Sequence, residues 1–183
     1  RASELAEANL EDSPSSVNLT KQGNIDWIHM DSQQFGSFNR KNVTDPGITG
    51  LTLIGNADYV TENSETVFVY SDGMSPMMSE EGNTKALVFT GEGNGFSFYV
   101  PGSTENRRMD IYTGAWAADI RVTMTVNGEE VCSQVFGSSD TTPGSPAKYQ
   151  VLRMDYHTEN EDDTVQVIVE VDHVYDSVYG NMN

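Results

Sequence analysis

The sequence predicts an all-β protein, an antiparallel β-sandwich of the jelly-roll type, and three observations support this. Apolar and polar residues alternate in short runs such as "ETVFVYSD", "RMDIYTGAWA" and "DTVQVIVEV", the pattern of strands with one buried face. Turn sequences such as "SDG", "VPGS" and "TPGSP" separate these runs. No segment after residue 17 has a sustained helical period. About eight to ten short strands at this spacing are typical of a sandwich or jelly roll.

The strongest local signal is Asn127-Gly128, which lies between the alternating runs "DIRVTMTV" and "EEV". An Asn-Gly pair in that position favours a two-residue hairpin turn. The first sixteen residues differ from the rest because they are polar and end in a Ser/Pro cluster. We therefore expect 1–16 to be a linker or short capping segment, with one or two helical turns around Glu4 to Leu10. Residues 17–183 then form one β-sandwich module.

Composition limits the partners. The formal net charge is −18, and such a surface repels phosphate backbones and anionic lipid, so nucleic-acid binding is not expected. No apolar run approaches the ~20 residues of a membrane helix, so membrane insertion is not expected either. The start of the sequence shows no signal peptide, which suits a processed or excised domain as well as a cytosolic protein. The lone Cys132 is predicted to be a buried, inert thiol.

Strand parity places several aromatic and polar side chains together. Trp27 and His29 share one face of "IDWIHM", and Tyr70 and Asp72 share one face of "ETVFVYSD". In "RMDIYTGAWA", Tyr112 and Trp116 flank a glycine on the face opposite Met109 and Ile111. A glycine between two aromatic residues leaves a flat shelf on which a ring could lie. The alternative is that both aromatics pack under a loop or in the second sheet.

The order of five motifs resembles a known type of module. These motifs are "VNLTKQGNIDWIHM", "FNRK", "YSDGMSP", "GEGNGFSFYVP" and "RMDIYTGAWAADIRVTMTVNG". Together they resemble a β-sandwich module of bacterial multidomain proteins, often attached to glycoside hydrolases and polysaccharide-adhesion proteins, over most of residues 17–174. Met30 stands where that family usually has an aromatic residue, and Tyr70 where it often has tryptophan. The resemblance implies a jelly-roll, galactose-binding-domain-like fold and carbohydrate binding, and it does not fix the sugar.

Sugar recognition requires an aromatic face for the C–H side of a pyranose and planar polar groups for its hydroxyls. The residues predicted to supply them are Trp27, His29, Asn39, Arg40, Lys41, Tyr70, Asp72, Tyr112 and Trp116. Structural roles remain open for several of these. Arg40 and Lys41 could form ion pairs with Asp26 or Asp72, and Trp27 could lie in the core.

The predicted function is non-catalytic binding of a neutral polysaccharide by a monomeric module within a secreted or cell-surface bacterial protein. An α-glucan of the starch type is the first candidate, and a neutral β-glucan or hemicellulose is the second. The alternatives are a structural or protein-binding spacer and, less favoured, a jelly-roll glycosidase or lyase. No catalytic residue and no cofactor are predicted. A structural calcium ion is an alternative to solvated turns at the oxygen-rich "TDPG", "GEGNG" and "TENEDDT".

Overall fold

The computed structural model describes residues 4–183 and confirms the all-β prediction. Two large antiparallel sheets face each other, and two small sheets and one short helix complete the fold.

The first large sheet has six strands: β1 (Ala6–Asp12), β6 (Tyr59–Thr61), β9 (Ala86–Thr90), β11 (Arg107–Trp116), β14 (Lys148–Tyr156) and β16 (Asn181–Met182). Their order across the sheet is β1-β14-β11-β16-β9-β6, and all the pairs are antiparallel.

The second large sheet has five strands: β5 (Thr49–Ile54), β10 (Gly95–Pro101), β12 (Ala118–Val126), β13 (Glu129–Ser138) and β15 (Thr164–Val174). Their order is β13-β12-β15-β10-β5. The predicted hairpin at Asn127-Gly128 is confirmed, because it joins β12 to β13. Both turn residues have positive φ, 52° and 82°, as a two-residue hairpin turn of this kind requires.

The small sheets contain β2 (Ser16–Asn18), β3 (Ile28–His29), β4 (Asn39–Arg40), β7 (Val67–Tyr70) and β8 (Ser79–Asn83). β3 pairs with β4, and β7 lies between β2 and β8. The β2–β7 pair is parallel, which the antiparallel prediction did not include. Helix α1 (Leu19–Gln22) follows β2, and the Asn18 side chain caps it by accepting a hydrogen bond from the Lys21 backbone N–H.

The main core lies between the two large sheets. Phe89, Ile111 and Leu152 come from the six-stranded sheet, and Ile120 and Val167 come from the five-stranded sheet. A second apolar cluster consists of Val17, Leu19, Trp27 and Tyr70, with Phe68 and Tyr112 packed against it. Because Tyr112 has the opposite parity to Ile111 on β11, this second cluster covers the outer face of the six-stranded sheet.

The N-terminal segment corrects the sequence-based prediction. Residues 6–12 form the edge strand β1, paired with β14 from Ala6↔Tyr156 to Asp12↔Gln150, so they are neither a linker nor helical. The expectation failed because Ala6 and Ala8, the inward residues that pack against the core, are too small to give a visible alternation. The predicted long strand "IDWIHM" is also shorter than expected, since only Ile28–His29 pair.

The six-stranded sheet has a gap between β9 and β11. The two-residue β16 joins them at Ala115 and Trp116 on one side and at Phe89 and Thr90 on the other. Next to β16, the backbones of Gly114 and Asn183 exchange two hydrogen bonds. Within the described residues, no strand pairs with positions 107–113 of β11 on this side. The alternation of an antiparallel ladder therefore directs the backbone groups of Asp110 and Tyr112 into the gap.

Among residues 4–183, no helix is long and apolar enough to cross a membrane.

Candidate functional site

Asp72 is the centre of the region where the sequence predicted a binding site. Its Oδ1 accepts hydrogen bonds from Thr20 Oγ1 at 2.7 Å and from the Trp27 indole Nε1 at 2.9 Å, and its Oδ2 pairs with the Lys41 ammonium. Burial acts to raise the pKa of Asp72, but the hydrogen bonds from Lys41, Thr20 and Trp27 outweigh it and leave the pKa below its ordinary value. Three separated segments of the chain are thus fastened to one ionised carboxylate.

Arg40 has a similar structural role. Its guanidinium donates to Asp26 Oδ2 at 2.7 Å and to the carbonyl of Ile48 at 2.9 Å. The Asp26 side chain is nearly fully buried and also accepts the backbone N–H groups of Trp27 and Ile48. The predicted alternative, in which Arg40 and Lys41 form ion pairs with Asp26 and Asp72, describes the observed contacts.

Trp27 and Tyr70 are both 4 % exposed, and their ring centroids lie 4.9 Å apart. Neither ring therefore presents an exposed face on which a sugar could stack from solvent, and the predicted alternative that Trp27 lies in the core describes its position. Parity had correctly placed Trp27 and His29 on one face. That face turns inward, because the segment covers the outer face of the six-stranded sheet.

His29 is also buried. Its Nε2 lies 2.7 Å from the carbonyl of Lys85, and since a carbonyl only accepts, Nε2 carries the proton. Nδ1 is then an acceptor, and it has no hydrogen-bond partner among the described residues. Burial lowers the pKa of His29 despite opposing effects of the Lys85 carbonyl and Asp31, so the ring is neutral near pH 7.

Tyr112 and Trp116 are half-buried. Tyr112 packs edge-on against Phe68, and the Trp116 indole donates to the carbonyl and hydroxyl of Ser145 at 3.0 and 3.1 Å. The glycine shelf between them is occupied, because a Cβ on Gly114 would lie 2.6 Å from the ring of Tyr149. A protein ring, and not a ligand, fills the predicted space.

A cavity of about 300 Å³ opens beside these residues. Side chains of both parities on β11 line it, Ile111 and Thr113 from the inner face and Asp110 and Tyr112 from the outer face. It therefore extends around the unpaired edge of β11 through the gap in the sheet. Its walls also include the aromatic and aliphatic side chains of Leu87, Phe89, Phe96, Phe98, Met109, Tyr156 and Met182. Pockets with mainly apolar walls and a few polar groups are typical of small-molecule sites.

An exposed aromatic surface lies at a different place, in residues 175–180, here called the tyrosine loop. Tyr175 is 43 % and Tyr179 is 69 % exposed. The loop is ordered by its own hydrogen bonds, because Asp176 Oδ1 accepts the backbone N–H groups of Val178 and Tyr179. The Tyr175 backbone donates to the carbonyl of Ala117.

Polar side chains surround the tyrosine loop. Tyr175 donates its hydroxyl to Asp119 Oδ2 at 2.6 Å, and the ring of His173 packs edge-on against Tyr175. His173, near the end of β15, pairs with Glu92 at 3.0 Å. Among the residues predicted to bind a ligand, Trp116 is the one that strand pairing places next to the tyrosine loop, because it pairs with Asn181 just after the loop. The sequence signal was the pair of tyrosines in "VYDSVYG", which lies after the last predicted strand.

Two carboxylates of the oxygen-rich turn "TENEDDT", which was considered for calcium, are used within the protein. Asp163 accepts from the Asn127 side chain and Glu161 accepts from Thr104. Within residues 4–183, no group of three or more His, Cys, Asp or Glu side chains is arranged to hold a metal ion.

Comparison of the chain with protein-family models, with curated proteins and with solved structures finds no match.

Proposed function

We propose that this chain is a non-catalytic carbohydrate-binding module that holds a neutral polysaccharide at the tyrosine loop. The observation that supports this proposal is the pair of exposed rings, Tyr175 and Tyr179, on an internally hydrogen-bonded loop. Exposed tyrosine rings offer an apolar face to the C–H side of a pyranose, and ordering the loop in advance reduces the entropy lost on binding.

The polar surroundings suit sugar hydroxyls. Asp119 binds Tyr175 through Oδ2, and Glu92 binds His173 through Oε1. The second oxygen of each carboxylate, together with the Asn181 amide beside the loop, can bind sugar hydroxyls. Because the nearby charges are mainly acidic and the chain carries −18 overall, an acidic glycan would be repelled. An α-glucan of the starch type remains the first candidate, and a neutral β-glucan or hemicellulose the second.

The wider context is part of the same proposal. The module would be a monomeric, jelly-roll-type unit of a larger secreted or surface-anchored bacterial protein, as the resemblance of its motifs implies. Weak binding at one site would be strengthened by further modules of that protein. We assign no catalytic step to the loop, since the carboxylate of Asp119 is engaged by Tyr175 and that of Glu92 by His173.

The test is affinity gel electrophoresis and calorimetry with amylopectin, mixed-linkage β-glucan, xylan and the acidic polymer polygalacturonate. We expect retardation by at least one neutral glycan and none by polygalacturonate. Tyr179→Ala should weaken binding by about tenfold, the effect of losing one aromatic contact. Tyr59→Ala is the matched control, because Tyr59 is 52 % exposed and lies on the edge strand β6.

The absence of retardation by every glycan would refute the function. Retardation that persists unchanged in Tyr179→Ala, Tyr175→Ala and Trp116→Ala would refute the site while leaving the function in place.

A further inference from the structure

The cavity beside β11 contains polar atoms that the protein does not satisfy. Among its wall residues, His29 Nδ1, Thr113 Oγ1 and Arg107 Nε are buried and have no hydrogen-bond partner among the described residues. His29 and Thr113 are 6 % and 8 % exposed. Because leaving a buried polar group unpaired costs about 1–3 kcal/mol, several such atoms around one cavity indicate a missing partner with oxygen-containing groups.

The cavity extends along β11. Arg107 and Thr113 both line it, and at about 3.3 Å per strand residue they are separated by about 20 Å along β11. A volume of about 300 Å³ spread over that length suits an unbranched chain better than a compact ring. The apolar walls between the two ends would cover such a chain.

Arg107 lies at one end of the cavity, next to Tyr156 and Pro101. The other arginines in the described chain are Arg40, Arg108, Arg121 and Arg153, and each of them forms an ion pair. Arg107 forms none among residues 4–183, although the chain has a large excess of acidic residues. Glu161, which Arg107 influences, is instead held by Thr104. A guanidinium is always charged, so this end of the cavity is suited to an anion.

The neighbouring phenol does not compete for that anion. Burial raises the pKa of Tyr156 to about 12, against the opposing effect of Arg107, and its hydroxyl donates to the carbonyl of Pro101 at 2.8 Å. Tyr156 therefore remains neutral and closes this part of the wall. Arg107 is left as the cation for a ligand.

Two other wall residues carry unpartnered polar atoms. His29 Nδ1 is unprotonated and is an acceptor, and the hydroxyl of Thr113, six residues along β11 from Arg107, can donate or accept. A ligand hydroxyl satisfies both kinds of group. We propose that the cavity binds an unbranched aliphatic carboxylate that carries a hydroxyl group distant from its carboxylate. The carboxylate pairs with Arg107, the chain lies along β11, and the hydroxyl reaches Thr113 and His29. This site is separate from the tyrosine loop and does not depend on the glycan proposal.

The test is calorimetry and native mass spectrometry of the whole chain with octanoate, decanoate and dodecanoate. We expect each added methylene to tighten binding by about fourfold, the value for a buried CH₂. Hexadecanoate, hexadecanol and ω-hydroxyhexadecanoate then separate the contributions of the two ends. We expect the hydroxy acid to bind tightest and the alcohol weakest.

Two variants locate the ligand. Arg107→Gln should weaken carboxylate binding by about tenfold or more, the effect of losing a charge-assisted hydrogen bond, and should leave hexadecanol unaffected. Thr113→Val keeps the shape of the side chain and should remove the advantage of the hydroxy acid over hexadecanoate. Arg121→Gln is the matched control, because Arg121 pairs with Asp172 on the other sheet. This control should change neither the affinity for the carboxylates nor the advantage of the hydroxy acid over hexadecanoate. Urea unfolding of each variant confirms that it is folded.

Failure of all these amphiphiles to bind would overturn the proposal. Binding that is equal in Arg107→Gln and the parent chain would overturn the carboxylate assignment. An equal affinity for hexadecanoate and its hydroxy analogue would overturn the hydroxyl assignment.

Discussion

At Asp72 a single carboxylate holds three distant parts of the chain. Thr20 from α1, Trp27 from the segment before β3 and Lys41 from the residue after β4 all donate to it. Trp27, Lys41 and Asp72 also stand in the sequence motifs "DWIH", "NRK" and "YSDG". Those motifs therefore describe how the covering segments are attached to the sandwich.

Replacing Asp72 by Asn should destabilise the fold by about 2 kcal/mol or more, because Lys41 loses its counter-ion in a largely buried position. The control is Asp172→Asn. Both carboxylate side chains are 27 % exposed. Within the described part of the chain, however, Asp172 accepts from Arg121 alone, so the loss of the Asp172 carboxylate should cost about 0–1 kcal/mol. Urea unfolding at pH 7 measures both, and equal losses would contradict the role assigned to Asp72.

His29 should make stability depend on pH. Its pKa in the folded chain lies below the ordinary 6.5 because of burial, so the unfolded chain binds a proton first as the pH falls. Stability is then complete above about pH 6.5 and decreases below it, by up to about 1.4 kcal/mol per pH unit. Urea midpoints at pH 7.5, 6.5 and 5.5 should show this decrease in the parent chain and in His173→Gln. A decrease of the same size in His29→Gln would show that His29 is not its source.

At the scale of single elements, β1 is a strand whose sequence alternation is too weak to be recognised. Its inward residues are alanines that pack on the core, and its outward residues include Glu7, Asn9 and Glu11. The acidic side chains also disfavour pairing of the free edge of β1 with another chain. Charged residues on an edge strand thus produced a composition that resembled a linker.

Ala8→Asp should destabilise the protein by about 2 kcal/mol or more, because it places a charge against the core opposite Met154. Asn9→Asp, on the other face of the same strand, should stay within about 0.5 kcal/mol of the parent chain. Chemical unfolding measures both changes. Similar values for the two substitutions would argue against the β1–β14 register.

The strands that sequence analysis predicted well are those with large alternating residues. Val165, Val167 and Val169 are fully buried, as the alternation of this strand indicated. The turn at Asn127-Gly128 was predictable because both of its residues must adopt a positive φ. Parity cannot say whether a face points to solvent or to another part of the same chain. Parity therefore placed Trp27 and His29 on one face, but it could not show that this face is buried.

The cavity also could not be predicted from the sequence, because it depends on how the strands are arranged in three dimensions. It results from a mismatch in strand length, since β16 has two residues beside a ten-residue β11. Neither Arg107 nor Thr113 differs locally from an ordinary strand residue. Only the three-dimensional contacts show that, among residues 4–183, Arg107 forms no ion pair and Thr113 Oγ1 has no hydrogen-bond partner.

For the whole molecule, the dominant property is its charge of −18 on 183 residues. Like charges on a compact chain repel one another and favour the expanded state. The ion pairs at Asp26 and Asp72 remove some of this repulsion locally. With 28 acidic residues and 10 lysines and arginines, a large excess of negative charge remains.

Added salt should therefore stabilise the protein. Raising the ionic strength from about 0.01 M to about 0.15 M shortens the screening length from about 30 Å to about 8 Å, so the urea midpoint at pH 7 should rise. The increase should disappear close to pH 4.2, where the net charge approaches zero. A midpoint that is independent of salt at pH 7 would show that self-repulsion does not limit stability.

The short β16 also has a mechanical consequence. Strands β1, β14 and β11 form one ribbon and β9 and β6 form another, and the backbone ladder between the ribbons passes through Asn181 and Met182. A force that pulls the two ribbons apart would load that short ladder first, while the ladders of seven to nine paired residues within the first ribbon stay intact. In a module under tension, this seam would be the first place to yield.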